Sequence, residues 1–179
     1  LDTSDYIAVG ALIVAIFSAV VAFFSYHVAS DALKISEQQH KERYKMVEPY
    51  FMEAYKWYKE EDIYVSFALR FTNKATIANS IVNIELHLEY FDKSHVFGKA
   101  KIEPCFNVNP LGINDNKKTL ALPLTLSEKS SDSGWVTFKL PGIFKNNLNV
   151  DLYKIHATTT NGEVVSIDTH IINTVQNEK

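Results

Sequence analysis

Cysteine is nearly absent from this chain: Cys105 stands alone among 179 residues. One thiol forms no internal disulfide, so a packed core must hold the fold, and the chain suits a reducing compartment. Glycine and proline are sparse too, at 6 and 5 residues, which excludes a collagen-like or low-complexity chain. An excess of basic charge is missing: 18 Lys and Arg face 21 Asp and Glu, for a net charge of −3. The basic residues are scattered, which argues against nucleic acid as a partner. The nucleophile elbow, the P-loop and the His-Glu-x-x-His zinc signature do not occur. Asparagine is common, yet no Asn-x-Ser/Thr acceptor is formed, which argues against a glycosylated ectodomain.

What the sequence does contain is a long apolar run. Tyr6 to Tyr26 carries no charged residue, and about 21 residues at a 1.5 Å rise give about 30 Å of helix, enough to cross a bilayer. Small residues recur through it at alternating gaps of three and four: Ala8, Ala11, Ala15, Ser18, Ala22, Ser25 and Ala29, continuing to Ala32 and Ser36. Only Gly10, Ala19 and Ser30 are small and off this stripe. A seam of small side chains lets a second helix approach closely, and the 3.5-residue period favours a left-handed crossing. The other face carries Ile13, Val14, Ile16, Phe17, Val20, Val21, Phe23 and Phe24, suited to lipid. The seam therefore predicts a homo-oligomer or a complex with another membrane protein.

Flanking charge predicts the orientation. Asp2 and Asp5 precede the span, whereas Lys34, Lys41, Arg43 and Lys45 follow it. The positive-inside rule then places the C-terminal part in the cytoplasm, with the anchor in a cell inner membrane. A cleaved signal peptide is the competing reading, with Val28-Ala29-Ser30 as its processing site. The acidic start and the long apolar core both disfavour it.

The expected organisation is a transmembrane helix over 1–29, a helical stalk over 30–48 and a β domain over 49–179. Ser30 to Glu48 holds no Gly or Pro and is polar nearly all round, and Pro49 is expected to end the helix. About 130 residues then remain, one domain of ordinary size. Beyond Pro49 the hydrophobic period becomes two. Ile63, Val65, Phe67, Leu69 and Phe71 point one way, and Tyr64, Ser66, Ala68, Arg70 and Thr72 the other, which predicts a half-buried strand. Similar runs occur at Tyr50 to Tyr58, up to Tyr90, and at Val96 to Ile102, Leu120 to Leu126 and Trp135 to Leu140. In the last hairpin Ile155 is expected opposite Ile167, Ala157 opposite Val165 and Lys154 opposite Asp168. The loop is then Thr160-Asn161-Gly162, with glycine in the left-handed position. Tyr153, Ile155, Ala157, Val165, Ile167 and Ile171 share one face. Seven or eight short strands without a convincing helix read as an antiparallel β-sandwich of immunoglobulin or fibronectin type, lacking the Cys…Trp…Cys hallmark.

No residue set makes a persuasive catalytic, cofactor or metal site, and the chain reads as a non-enzyme. Glu85, His87 and Glu89 line one strand face, but neighbours there lie about 7 Å apart, too far to grip a small ion well. Ser166, Asp168, His156 and His170 gather on one surface without the pocket and oxyanion hole a triad needs. Cys105, between Pro104 and Phe106, reads as a buried inert thiol. For binding, the aromatic residues Tyr50, Tyr55, Trp57 and Tyr58 serve either as core or as a partner surface, and the long connection Asn107 to Thr119 is a second candidate.

In organisation, one apolar span, the polar stalk Leu33-Lys34-Ile35-Ser36-Glu37-Gln38-Gln39-His40 and a β domain resemble many small bacterial membrane proteins. The first reading is a membrane-anchored protein whose cytosolic β domain binds a partner protein. The alternatives are a membrane effector of a bacterial defence or toxin system that clusters to perturb the bilayer, and an envelope-facing adhesion or binding domain.

Overall fold

The first forty residues hold no proline and only Gly10 to weaken a helix, and alanine, the best helix former, is the commonest residue among them. They form one uninterrupted helix, α1 (Thr3–Arg43), in the computed structural model, which describes residues 3–110, 118–146, 148–170 and 172–175. Its last turn carries His40, Lys41 and Arg43, cations that suit the negative end of the helix dipole. The helix ends before Glu48, earlier than the sequence suggested. Pro49 lies inside the first strand instead, in a stretch that pairs with a neighbour on one side only, where a missing N–H costs little. The chain separates into two units, this helix and everything after Arg43.

The second unit is mainly β. Its strands are β1 (Val47–Lys59), β2 (Asp62–Asn73), β3 (Asn79–Phe91), β4 (Phe97–Ile102), β5 (Leu124–Leu126), β6 (Ser131–Lys139), β7 (Asn149–Thr159), β8 (Val164–Thr169) and β9 (Asn173–Thr174). One sheet runs β6-β2-β1-β9 and the other β4-β3-β7-β8, with β5 also on β3. Among the described residues, all pairings between these strands are antiparallel except the short β1–β9 contact. A short 3-10 helix, Gly142–Asn146, and β9 were not expected from the sequence.

The period-two readings hold where they concern the main core. Ile63, Val65, Phe67, Leu69 and Phe71 are all buried. Together with Ile84, Leu86 and Leu88 of β3, Val136 and Phe138 of β6, and Ile155 and Ala157 of β7, they form one cluster shared by both sheets. Phe67 meets Phe138 edge-on at 5.9 Å and Tyr153 of the other sheet at 6.4 Å. The β7–β8 register is the expected one, with Lys154 opposite Asp168, Ile155 opposite Ile167 and Ala157 opposite Val165. Gly162 has φ of 79°, the left-handed conformation that its loop demands. Tyr153, Ile155, Ala157 and Val165 reach the core and Ile167 packs against it, whereas Ile171 lies outside the described residues.

β2 departs from the half-buried expectation. Tyr64, Ser66 and Ala68, on its other face, are buried as well. Tyr64 and Ala68 join Tyr55, Trp57 and Trp135 in a second, aromatic cluster on the outer side of the β6-β2-β1 sheet, and Ser66 is hydrogen-bonded to Trp57. The chain after β4 supplies the cover: Cys105 N–H donates to the Thr137 carbonyl at 2.7 Å, and Val108 packs on the cluster. Further on, Trp135 N–H donates to the Lys118 carbonyl and Leu120 N–H to the Trp135 carbonyl.

Candidate functional site

Three surfaces bear on function, and the first is the helix. α1 is long and apolar enough to cross a membrane, and its most apolar window has no buried residue. Ala8, Ala11, Ala15, Ser18, Ala22, Ser25 and Ala29 are all exposed. Because α-helices turn at 3.6 residues, a 3.5-residue stripe drifts by about 20° per heptad on a straight helix. Two such stripes stay in register only if the helices wrap around each other. Near the end of the apolar run, Ser25, Ala29 and Ala32 floor a shallow groove of about 470 Å³ beside Val21, Phe24 and Val28. Phe23 lies edge-on to His27 at 4.5 Å.

The second surface is the aromatic one, and the structure divides its four candidates. Trp57 and Tyr55 are only 1% and 7% exposed, which removes them from any partner surface. Trp57 stacks on Tyr64 at 4.8 Å, and Tyr55 meets Trp135 edge-on at 5.3 Å. The indole N–H of Trp57 donates to Ser66 Oγ at 2.9 Å, and Ser66 Oγ is 2.9 Å from Thr137 Oγ1. A buried polar chain is thus satisfied within the cluster. Burial, with a smaller push from Glu53, raises the Tyr55 hydroxyl to about 12. Tyr50 and Tyr58, 56% and 37% exposed, stay on the surface. The Arg70 guanidinium sits 4.7 Å from the centre of the Tyr50 ring. Cys105 is half-buried rather than buried. Within the Asn107 to Thr119 connection, residues 111–117 lie outside the described residues.

The third surface is the outer face of the other sheet, where β3, β4 and β7 lie side by side. Glu85, His87 and Glu89 do share a face of β3. Lys101 holds Glu85 at 2.8 Å and Lys99 holds Glu89 at 2.7 Å, so both carboxylates are engaged by lysines. Asn83 Nδ2 donates to Glu85 at 2.7 Å, and His87 Nε2 lies 3.3 Å from it. The Lys101 hydrogen bond is the main reason that the Glu85 carboxyl lies below its ordinary range. Asp168 pairs with Lys154 at 3.7 Å, and His170 Nδ1 contacts the Asp151 carbonyl at 2.9 Å. The histidines and the acid of the suspected triad are therefore drawn to separate partners. His156 instead stacks on His87, with ring centres 4.1 Å apart and planes 26° apart. Burial first, then His87 and Lys154, hold the His156 imidazole below its ordinary value. A hollow of about 360 Å³ opens beside this pair, with Lys99, Lys101 and Lys154 on its walls.

No family matches the chain, and no curated protein is similar to it. Among solved structures, similarity is reported to a provisionally named ApaA protein from Bordetella pertussis. The identity is 11%, the match covers 69% of this chain and 87% of that one, and the TM-score is 0.31. A structural-genomics target solved by X-ray diffraction is similar at 10% identity, over 69% of this chain and 78% of that one, with a TM-score of 0.28. Likeness of that degree carries no functional argument.

The histidine pair is the feature that sequence reasoning missed. His87 and His156 each stood out, but on separate strands. Only the β3–β7 pairing, with Glu85 opposite His156 and His87 opposite Lys154, makes them neighbours.

Proposed function

We propose that this chain is a single-pass inner-membrane protein that assembles through α1 and presents its β domain to a partner protein in the cytoplasm. The exposed apolar helix carries this reading. Water does not tolerate so long a row of bare Ile, Val, Leu and Phe side chains, and a bilayer does. The small-residue stripe supports packing against a second helix, since association in lipid depends on close approach rather than on the hydrophobic effect. The basic residues after the span support a cytoplasmic β domain.

The strand order supports a sandwich of immunoglobulin or fibronectin type. With β1, β2 and β6 lettered A, B and E, and β3, β4, β7 and β8 lettered C, C′, F and G, the two sheets read A-B-E and C′-C-F-G. Such domains commonly serve as binding modules, and a non-enzymatic role fits an outer face whose carboxylates Glu85, Glu89 and Asp168 are each engaged by a lysine. Exposed Tyr50 remains a candidate contact for the partner.

The test is purification in mild detergent through a C-terminal tag, with mass photometry and identification of co-purifying proteins, beside Ala15→Leu/Ala22→Leu. The expected result is an oligomer or a defined complex that the double substitution reduces to monomer. A wild-type monomer, or an assembly indifferent to the two leucines, overturns the seam. Protease sensitivity of the β domain from the periplasmic side overturns the orientation.

A further inference from the structure

We propose that the hollow between β3, β4 and β7 is an acid-gated site for a small tetrahedral dianion of the phosphate or sulfate class. The inference concerns the β domain alone and is independent of how the chain is anchored. The charges that face the histidine pair come from every neighbouring strand. β3 brings Glu85 and Glu89, β4 Lys99 and Lys101, β7 Lys154 and β8 Asp168. Three lysines are matched by three carboxylates, each in an ion pair of 2.7, 2.8 or 3.7 Å. With both imidazoles neutral, the face is therefore balanced and has little attraction for an anion.

Each proton added to His87 or His156 gives the face a net positive charge, since Glu85, which lies 3.3 Å from His87 Nε2, is already matched by Lys101. Two imidazolium charges with ring centres 4.1 Å apart also repel one another. A dianion beside them neutralises both, and the three ammonium groups on the walls supply further donors. The hollow, about 360 Å³, has room for one tetrahedral oxyanion with its water. A monoanion would leave one of the two charges unmatched. Burial depresses His156 and so keeps the site closed at neutral pH. By linkage, an anion that binds only the protonated form raises the midpoint of the pair. Its affinity then falls by about tenfold per pH unit above that midpoint for each proton required.

The experiment uses the full chain in detergent micelles with ¹³C-labelled histidine, titrated with sodium sulfate, which stays a dianion throughout the range. His87→Gln and His156→Gln assign the two resonances. The expected result is a sulfate-dependent upward shift of the His87 and His156 midpoints alone among the histidines. Sulfate binding should be at least about tenfold tighter at about pH 5.5 than at about pH 7.5. In His156→Gln that pH dependence should shrink, while Lys154→Gln should weaken binding at both values. Equal affinity at the two pH values, unshifted midpoints, or the same shift at all histidines overturns the proposal. Tryptophan fluorescence of each variant shows whether the domain is folded, since Trp57 and Trp135 both report from it.

Discussion

At the scale of single residues, Ser66 shows how a small polar group sets a packing arrangement. It sits on the outer face of β2, fully buried, between the Trp57 indole and the Thr137 hydroxyl. Ser66→Ala removes almost no volume but leaves the indole N–H without its acceptor. Such an orphan costs about 1–3 kcal/mol. Urea unfolding followed by tryptophan fluorescence should show that loss with an unchanged slope. The residue was visible in the sequence only as a polar member of an apparently solvated face. Nothing local marks a serine as buried when its cover arrives some forty residues later.

At the scale of elements, the edge of β6 depends on a close crossing. A Cβ on Gly134 would lie 2.7 Å from the Lys118 backbone oxygen and 3.1 Å from the Leu120 side chain. The same Lys118 carbonyl accepts from Trp135 N–H at 2.9 Å, so it cannot retreat without losing that bond. Gly134→Ala is therefore expected to destabilise the domain by about 1–3 kcal/mol, as overpacking of a tight contact does. Thermal or urea unfolding checks it, and Gly142→Ala, where a Cβ meets open space, is the control. The pairing of β7 with β8, by contrast, was legible residue by residue. Its register follows from alternation and from the loop length, both local, and the Lys154–Asp168 pair agrees with it. The stalk was legible in part: its helical composition was evident, but its end was assigned to Pro49 because that proline was read as a stop. In the structure it is a strand-edge residue, and α1 ends at Arg43.

For the whole molecule, the pH dependence of stability follows from groups on the two outer faces. His156 is held below its ordinary value, so between that value, about 6.5, and its lowered midpoint the unfolded chain binds the extra proton. Stability accordingly falls as pH drops through this window, and His156→Gln should flatten the fall. Glu85, lowered mainly by Lys101, acts at more acidic pH. It contributes stability above its unfolded value that is lost as pH falls through its lowered one. Asp62, lowered by its Lys139 hydrogen bond, acts in the same direction, though from the exposed surface. Denaturant midpoints measured at about pH 8, 6 and 4, read by tryptophan fluorescence, check the two-stage loss. Sulfate should restore part of the first stage, because a ligand of the protonated folded form stabilises it by mass action.

The sequence alone determined whatever a local period can carry. It delimited an apolar span of membrane length with small residues on one face, the core-facing side of β2, and the strand pairing of the last hairpin to the residue. It also excluded disulfide scaffolding and the familiar hydrolase and nucleotide-binding motifs. The tertiary structure decided which faces were covered and which distant residues met. Trp57 and Tyr55 were withdrawn into a second core because the segment after β4 lies over them. His87 and His156 became neighbours because β3 pairs with β7. Alternation tells a strand which of its faces differ, but the partner across a sheet, and the loop that closes over it, depend on contacts between distant parts of the chain.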